Sequence, residues 1–385
     1  MPARPDAPTV AHVAHTAEPG GAELALARVL ANDCREWDAR LVVPGPTRGG
    51  AFDGLVDVDV REAGVPQPPG ASRATPWAAI RFAVALARQA FATRRSGAFR
   101  GAGVVHANST RAAVYTALAL LGTRTPLVVH LRDRVEAGAI GRFGLLAFRL
   151  TAARRAVGFI ANSAATAETI LPHLRAGQFV EVVPSAIGIS RASTASTAHD
   201  GPVRIGMVAR LDPWKGQEEL IRAYAAAGID YRASLTLIGS AAFGHDAYES
   251  RLRALVAELG LRAVTFAGFR ADVQDRIDDL DVCVQYSTRP EPLGQNVLQY
   301  LARGRAVIAA AEGGPLEWVA DGVNGMLVPP NDVAALSAAL RRLVDDATLR
   351  ARLGAGALAT EGLRTDCEVT QAHARVFARA ASRSH

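Results

Sequence analysis

Short apolar runs rich in Val and Ile alternate along the chain with longer amphipathic segments rich in Ala. The runs have the length of strands and the segments that of helices, an alternation typical of a parallel sheet covered by helices. The predicted strands of the first half are Thr9–Ala14, Ala39–Val43, Val104–Ala107, Leu127–Leu131, Gly158–Ala161 and Val180–Val183, and its predicted helices include Ala22–Asn32, Trp77–Thr93, Arg111–Leu121 and Ala164–Leu171.

The same pattern restarts after Ser190, so the chain is predicted to hold two α/β domains. We predict Rossmann-like domains with parallel sheets at 1–188 and 202–365, a small polar linker at 189–201, and a C-terminal helix at 366–385 that packs back on the first domain. The predicted strands of the second half are Val203–Ala209, Ser234–Ile238, Val264–Ala267, Asp281–Gln285, Ala306–Ala309 and Met326–Val328, and its predicted helices are Gln217–Ala227, Tyr248–Leu259, Gly294–Arg303 and Val333–Val344.

This architecture predicts where function lies. Two such domains facing each other form a cleft, and ligands of open α/β sheets bind beyond the carboxyl ends of the strands. Residues that directly follow strands are therefore the candidates for chemistry.

Composition narrows the class of protein. The 385 residues suffice for two domains, and 49% hydrophobic and 21% charged residues are globular values. The net charge of +6 suits anionic partners such as nucleotides or a membrane surface, whereas only 6% aromatic residues and no clustered basic stripe argue against nucleic acid.

The cysteines and the chain start bear on location. Cys34, Cys283 and Cys367 lie far apart in sequence, so we expect free thiols and a reducing compartment. No signal peptide and no membrane span are evident, which predicts a cytoplasmic protein, with peripheral contact at the inner membrane face as a further option.

One basic residue stands apart. All 43 basic residues are Arg except Lys215, which follows a predicted strand together with Arg210. Arg210 can grip a phosphate with two hydrogen bonds, and Lys215 supplies a compact charge beside a helix N-terminus. This predicts a diphosphate site; the alternative is a surface Arg paired with Asp212 and a solvated Lys.

A second candidate loop follows the strand Asp281–Gln285. Glu291 lies between prolines, where a carboxylate can accept hydrogen bonds from sugar hydroxyls. Leu293, Gly294 and Gln295 open the next helix, and helical spacing carries Gln295 and Gln299 onto one face. The alternative for Glu291 is a helix-capping or solvated side chain.

The first half offers weaker candidates. Gly20 and Gly21 let the backbone approach an anion at a helix N-terminus, although the turn matches neither dinucleotide nor phosphate-loop patterns. His130 ends a strand and is predicted to line the cleft, with a core position as the alternative. His12 and His15 lack an evident third ligand, and Asp57-Val-Asp59 is better explained as a solvent-edged strand. We therefore predict no metal and no cofactor.

Together these segments resemble family 4 of the GT-B glycosyltransferases over nearly the whole chain. The resemblance is strongest from Val203 to about Pro330, in an Arg-x-x-x-x-Lys-Gly clamp, a Glu-x-x-Gly loop and a Gly-Gly-x-x-Glu segment. It implies that Arg210 and Lys215 hold the donor diphosphate, that Gly20 and Gly21 approach it, that Glu291 contacts the transferred sugar, that the 293–295 backbone assists, and that His130 lies near the reacting centre.

Two positions depart from the family pattern. The second Glu of the family, which accepts hydrogen bonds from the donor ribose, is replaced by Gln299, and the usual Asn-Gly by Ser185-Ala186. An amide oxygen still accepts hydrogen bonds but carries no charge, so the ribose contact is expected to be weaker or the donor unusual.

The sequence therefore predicts a metal-independent, retaining glycosyltransferase that uses a nucleotide-diphosphate sugar. The predicted acceptor is a glycan, a lipid-linked molecule or a small molecule. Two alternatives stay open: a non-catalytic two-lobed binding protein for a sugar or nucleotide, and a nicotinamide-dependent oxidoreductase, for which no Gly-x-Gly-x-x-Gly turn is present.

Overall fold

The computed structural model describes residues 7–65, 76–195, 201–241 and 246–384. The chain forms two compact units, one of residues 1–186 and 364–385 and the other of residues 187–363. Each unit is an α/β fold built on one parallel sheet, as the alternating pattern predicts.

The sheet of the first unit has seven strands in the order β3-β2-β1-β4-β5-β6-β7, and all its strand pairs are parallel. The central strands β4 and β5 are buried at every residue, because helices cover both faces of the sheet. The strands are β1 (Thr9–Val13), β2 (Asp38–Val43), β3 (Val58–Glu62), β4 (Val104–Ala107), β5 (Leu127–Leu131), β6 (Ala156–Ala161) and β7 (Phe179–Val182).

Helices follow most of these strands, and short polar side chains start several of them. Ser109 and Ser163, each one residue after a strand-end Asn, accept backbone N–H groups as N-caps. The helices of this part of the chain are α1 (Gly21–Ala31), α2 (Pro76–Arg95), α3 (Thr110–Ala119), α4 (Ala137–Ile140), α5 (Arg142–Leu150), α6 (Ala152–Arg155) and α7 (Ala164–Ile170).

The second unit repeats the architecture with six strands in the order β10-β9-β8-β11-β12-β13, again with all strand pairs parallel. Its strands are β8 (Val203–Val208), β9 (Ala233–Ile238), β10 (Val264–Gly268), β11 (Val282–Gln285), β12 (Ala306–Ala310) and β13 (Met326–Val328). Its helices are α8 (Gln217–Ala227), α9 (Asp246–Glu258), α10 (Val273–Asp278), α11 (Gln295–Ala302), α12 (Val333–Asp345) and α13 (Ala347–Leu358).

The C-terminal helix α14 (Asp366–Ala381) belongs to the first unit. Thr365 and Glu368 form a capping box at its start, and Val369, Val376 and Phe377 bury its apolar face in the core that β1 and β2 share. Asp366 also accepts a hydrogen bond from Arg28 of α1 at 3.1 Å.

A disulfide between Cys34 and Cys367 corrects the expectation of free thiols. The two cysteines are 333 positions apart in sequence, yet α1 and α14 pack side by side and bring them together. Cys283 alone is free, and it is buried. Sequence separation carried no information here, so the cysteines give no argument for a reducing compartment.

The predicted elements agree with the structure to within one or two residues at most ends. Asp57-Val-Asp59 contributes to the edge strand β3, and Asp59 pairs with Arg61 at 2.6 Å. The predicted linker overlaps the second unit at residues 189–195, its residues 196–200 lie outside the described part of the chain, and the predicted domain bounds stay predictions. No helix among the described residues is long and apolar enough to cross a bilayer.

We expect the Cys34–Cys367 bond to hold α14 against α1, so that Cys34→Ser lowers the free energy of unfolding by about 2–4 kcal/mol. Thermal unfolding with and without reductant measures this: reductant should lower the Tm of the parent but not that of the variant. Alkylation of three thiols in the unreduced, unfolded parent would contradict the bond.

Candidate active site

The loop after β8 carries two of the predicted site residues. Arg210 lies two residues after the end of β8, and Lys215 ends a single helical turn just before α8. Gly216 is required between them and the helix, because its φ is +78° and a Cβ there would lie 1.8 Å from the carbonyl oxygen of Tyr286. The backbone of Gly216 therefore packs directly against the residue that follows β11.

Lys215 and Glu291 form a direct ion pair. The Nζ of Lys215 lies 2.7 Å from Oε2 of Glu291, and the two side chains are only 20% and 10% exposed. The ammonium also lies 4.0 Å from the ring centre of Trp214. Lys215 is therefore a positioned, largely buried charge, and the alternative of a solvated Lys does not describe it.

The Glu291 loop is held from two sides. Ser287, which follows β11, donates its hydroxyl to Oε2 of Glu291 at 2.6 Å and accepts a bond from Gln285 at 2.9 Å. The backbone N–H of Gly314 donates to the carbonyl of Glu291 at 2.7 Å, and a Cβ at Gly313 would lie 2.4 Å from that carbonyl oxygen. This explains the Gly-Gly segment: only glycine lets the two loops approach so closely.

Arg210 has a different partner from Lys215. Its guanidinium donates to Asp212 at 3.0 Å, and its backbone carbonyl accepts a bond from Gln217 at 2.8 Å. The Arg210 side chain is 37% exposed, so part of the guanidinium stays accessible to an anion. The sequence analysis gave pairing with Asp212 as the alternative to phosphate binding. Arg210 makes this ion pair and still exposes part of its guanidinium group.

Leu293, Gly294, Gln295 and Gln299 lie where the sequence places them, at and after the start of α11. Leu293 is buried, and Gly294 is the left-handed N-cap with φ +79°. Gln299 donates its amide N–H to the carbonyl of Ile187 at 3.0 Å, with Gln295 at 3.5 Å from the same oxygen. A Glu at 299 could not make this bond, which is a local reason for the departure from the family pattern.

In the first unit, Gly20 and Gly21 begin α1 after β1, as predicted. Gly20 is the N-cap, and Gly21 is exposed with open space where a side chain would stand. Behind them Glu23 is buried, and its carboxylate lies 3.4 Å from Nδ1 of His15.

A buried arginine at this sheet edge escaped the sequence analysis. Arg132 follows β5 and donates to Oδ1 of Asn108 at 2.9 Å and to the hydroxyl of Ser185 at 3.0 Å. Burial lowers the pKa of Arg132 to about 9, with the Glu23 carboxylate opposing that shift. Position was the one feature of the sequence that could have indicated this cluster: Arg132 and Asn108 directly follow strands, and Ser185 lies near the end of one.

His130 does not occupy the accessible position that was expected of it. It is 1% exposed, and its ring packs against His373 of α14. The core alternative therefore describes its location, and its predicted role near the reacting centre stays a prediction. The sequence pattern of β5 could not show that α14 covers this face.

His130 belongs to a buried chain of four histidines whose tautomers follow from their partners. Trp37 Nε1–H donates to His12 Nε2 at 2.9 Å, so His12 Nδ1 carries the proton and donates to His106 Nδ1 at 3.0 Å. At the other end His373 Nδ1 donates to the Val369 carbonyl at 2.8 Å, and His130 Nδ1 lies 3.5 Å from His373 Nε2.

The direction of these hydrogen bonds bears on metal binding. Nitrogens of His106, His130 and His373 lie within 4.8 Å of one another, close enough to suggest a three-histidine site. The bonds from Trp37 and His12, however, leave the proton of His106 on Nε2, whereas a ligand nitrogen must offer a lone pair. Nε2 of His106 and Nε2 of His130 have no hydrogen-bond partner within the described residues, and the absence of a metal stays a prediction.

The site geometry can now be set beside known proteins. A model described as glycosyl transferases group 1 matches residues 190–359, and one described as Glycosyltransferase Family 4 matches residues 19–191. The chain belongs to family 4 of the GT-B glycosyltransferases. The matches to these two models confirm the resemblance inferred from the Arg210–Lys215 clamp, the Glu291 loop and the Gly-Gly segment.

Curated relatives match this glycosyltransferase over part of its length. A D-inositol 3-phosphate glycosyltransferase of Stackebrandtia nassauensis is 37% identical over 168 residues, which cover 41% of this chain and 38% of the relative. The lipopolysaccharide core glycosyltransferase LpsE of Rhizobium meliloti is 30% identical over 220 residues, covering 56% and 62%. The matches thus span less than two thirds of these relatives.

Solved structures match over almost the whole chain. HepE of Anabaena, crystallised in complex with UDP-glucose, is 26% identical with a TM-score of 0.80, covering 96% of this glycosyltransferase and 99% of HepE. Sucrose-phosphate synthase of Thermosynechococcus elongatus, at 19% identity and a TM-score of 0.75, shares the fold. Neither of the two alternatives weighed from the sequence finds support among these relatives.

The histidine chain predicts acid sensitivity. Burial lowers the pKa of His12 to about 3 and that of His373 to about 4, and it holds His106 and His130 well below their usual range. These histidines are neutral in the folded protein, but in the unfolded chain they take up protons near pH 6.5. Their contribution to the free energy of unfolding is therefore fully present above pH 6.5 and is lost as the pH falls below it. Each contributes a slope of about 1.4 kcal/mol per pH unit.

Urea unfolding between pH 7.5 and 5.0 measures this slope. His373→Leu should lower stability at neutral pH and flatten the slope by one proton, whereas His173→Gln, at a half-buried imidazole whose pKa desolvation lowers without a large shift, should flatten it by less. A parent whose stability is the same at both pH values would contradict the neutral chain.

Proposed function

We propose that this glycosyltransferase moves a sugar from a nucleotide-diphosphate sugar to an acceptor hydroxyl. The observation that carries the proposal is the Lys215–Glu291 pair, which holds a charge for phosphate beside a carboxylate for sugar hydroxyls at 2.7 Å. The likeness to HepE, which was crystallised with UDP-glucose, supports a donor of this class.

The electrostatic role follows from the reaction. When the bond between sugar and diphosphate breaks, negative charge accumulates on the leaving phosphate. Arg210, Lys215 and the first N–H groups of α11 are positive groups fixed before the reaction, so they stabilise this charge without reorganising.

Glu291 is suited to bind the transferred sugar. One of its oxygens already accepts bonds from Lys215 and Ser287, which orient the carboxylate. Its other oxygen then accepts sugar hydroxyls, whose hydrogen bonds must be satisfied once they leave water. Gly20 and Gly21 remain predicted phosphate contacts of the first unit.

Metal independence and retention of configuration are parts of the proposal. Two cations and a helix N-terminus supply the charge stabilisation that a divalent ion would give. Retention is carried by the family resemblance, and the anomer formed, read by NMR, decides it.

The acceptor class and membrane contact are also proposed. The sugar acceptor is a glycan, a lipid-linked molecule or a small molecule, and curated relatives include enzymes named for lipopolysaccharide core and inositol phosphate acceptors. Helix α5 exposes Leu146 and Leu150 by 53% each beside Arg142 and Arg149, a pattern suited to an anionic membrane surface. The cytoplasmic location stays a prediction.

Lys215→Ala should lower turnover of UDP-glucose, measured as UDP release with and without acceptor, by roughly 100-fold or more. Lys215→Arg keeps the charge but not the compact ammonium, so it should restore little. Arg222→Ala, which removes an equally charged surface group of α8, is the matched control. Equal rates for Lys215→Ala and the parent, at equal Tm, would overturn the clamp.

Gln299→Glu should lower the Tm and, if residue 299 faces the ribose, change the affinity or preference for the donor. The carboxylate loses the hydrogen bond to the Ile187 carbonyl and is placed beside that oxygen, at a cost of about 1–3 kcal/mol. Titrating UDP-glucose and a panel of nucleoside diphosphates against both proteins tests the ribose contact. A donor profile that is unchanged in the folded variant would show that residue 299 does not meet the ribose.

A further inference from the structure

The second unit has a basic pocket at the edge of its sheet opposite the proposed donor site. The pocket, of about 580 Å³, is lined by Arg191, Arg204, Arg303 and Arg305 together with Asp278 and the segment 190–195. Arg204 lies near the start of β8 and Arg305 directly precedes β12, whereas Lys215 follows the end of β8. A six-residue strand separates the two edges by roughly 20 Å.

Two carboxylates, Asp278 in the pocket wall and Asp281 beside it, pair with the arginines of the pocket. Asp278 accepts from Arg303 at 2.6 Å and from Arg305 at 3.2 Å, and Asp281 pairs with Arg204 at 3.3 Å. Arg191 donates to the carbonyl oxygens of Leu358 and Thr360. Four guanidinium groups thus stand with two carboxylates, an excess of two positive charges.

Two features make this more than a surface ion-pair network. Arg305 is 7% exposed, and its Nε has no hydrogen-bond partner within the described residues although it is buried. The 190–195 segment is fixed by the N–H of Ala192, which donates to the Ala302 carbonyl at 2.8 Å, and by Arg303, which donates to the Ser190 carbonyl at 2.9 Å. A preformed polar wall whose guanidinium groups outnumber the neighbouring carboxylates is suited to bind an oxyanion.

We propose that this pocket binds a small phosphorylated molecule, separately from the sugar donor. A phosphate dianion matches the two excess charges, and guanidinium groups bind phosphate with paired hydrogen bonds. The volume is that of a small-molecule site, larger than one phosphate needs. The lining has no large apolar side chain, so the occupant is a soluble molecule and not a lipid.

Inorganic phosphate and pyrophosphate are the probes, titrated into the full-length protein by calorimetry and thermal shift at constant ionic strength, with chloride as the reference. We expect saturable binding that survives in Lys215→Ala, whose donor site is disabled. Arg191→Gln, which changes an exposed side chain, should weaken binding about tenfold, since a charge-assisted bond to the anion is lost.

The controls separate this proposal from the proposed function. Arg222→Gln removes the same charge from the surface of α8 and should bind phosphate as the parent does. Phosphate binding lost in Lys215→Ala but kept in Arg191→Gln would place the anion at the donor clamp and overturn the pocket, as would stabilisation no greater than that by chloride. Neither result depends on whether the protein transfers a sugar.

Discussion

The ion pair between Lys215 and Glu291 is the interaction on which the proposed chemistry depends. Its two charges come from loops that follow β8 and β11, neighbouring strands of one sheet, and they meet at 2.7 Å because Gly216 and Gly313 permit close backbone contacts. Such a pair, held by Ser287 and stacked on Trp214, positions a cation before any phosphate arrives. Preorganisation of this kind makes electrostatic stabilisation effective.

The two units use the same architecture with different chemistry at the carboxyl edges of their sheets. The second unit presents accessible or half-buried charges, Arg210 and Lys215 among them. The first unit presents a glycine turn and a buried polar cluster in which Arg132 contacts Asn108 and Ser185. One edge is equipped to bind an anion directly, and the other carries a buried polar cluster.

Helix α14 links the fold of the first unit to its unusual core. It brings Cys367 to Cys34 and His373 to His130, and its His373 ring packs against His106, which is bonded to His12. Burial disfavours a charged imidazole and lowers the pKa of His106, His130 and His373, so the packing of this helix keeps the histidines of the core neutral. The packing of α14 on the first unit therefore determines both the Cys34–Cys367 disulfide and the pKa values of the buried histidines.

Local sequence pattern determined much of this protein. It predicted the strands and helices, the Lys-Gly and Gly-Gly turns, and the placement of Lys215 and Glu291 after strands, because each of these depends on neighbours in sequence. The structure decided what depends on distant segments. His130 is buried because α14 covers β5, Cys34 meets Cys367 across 333 positions, and Gln299 bonds to Ile187. Contacts of this kind arise from packing between elements, which no periodicity along one element encodes.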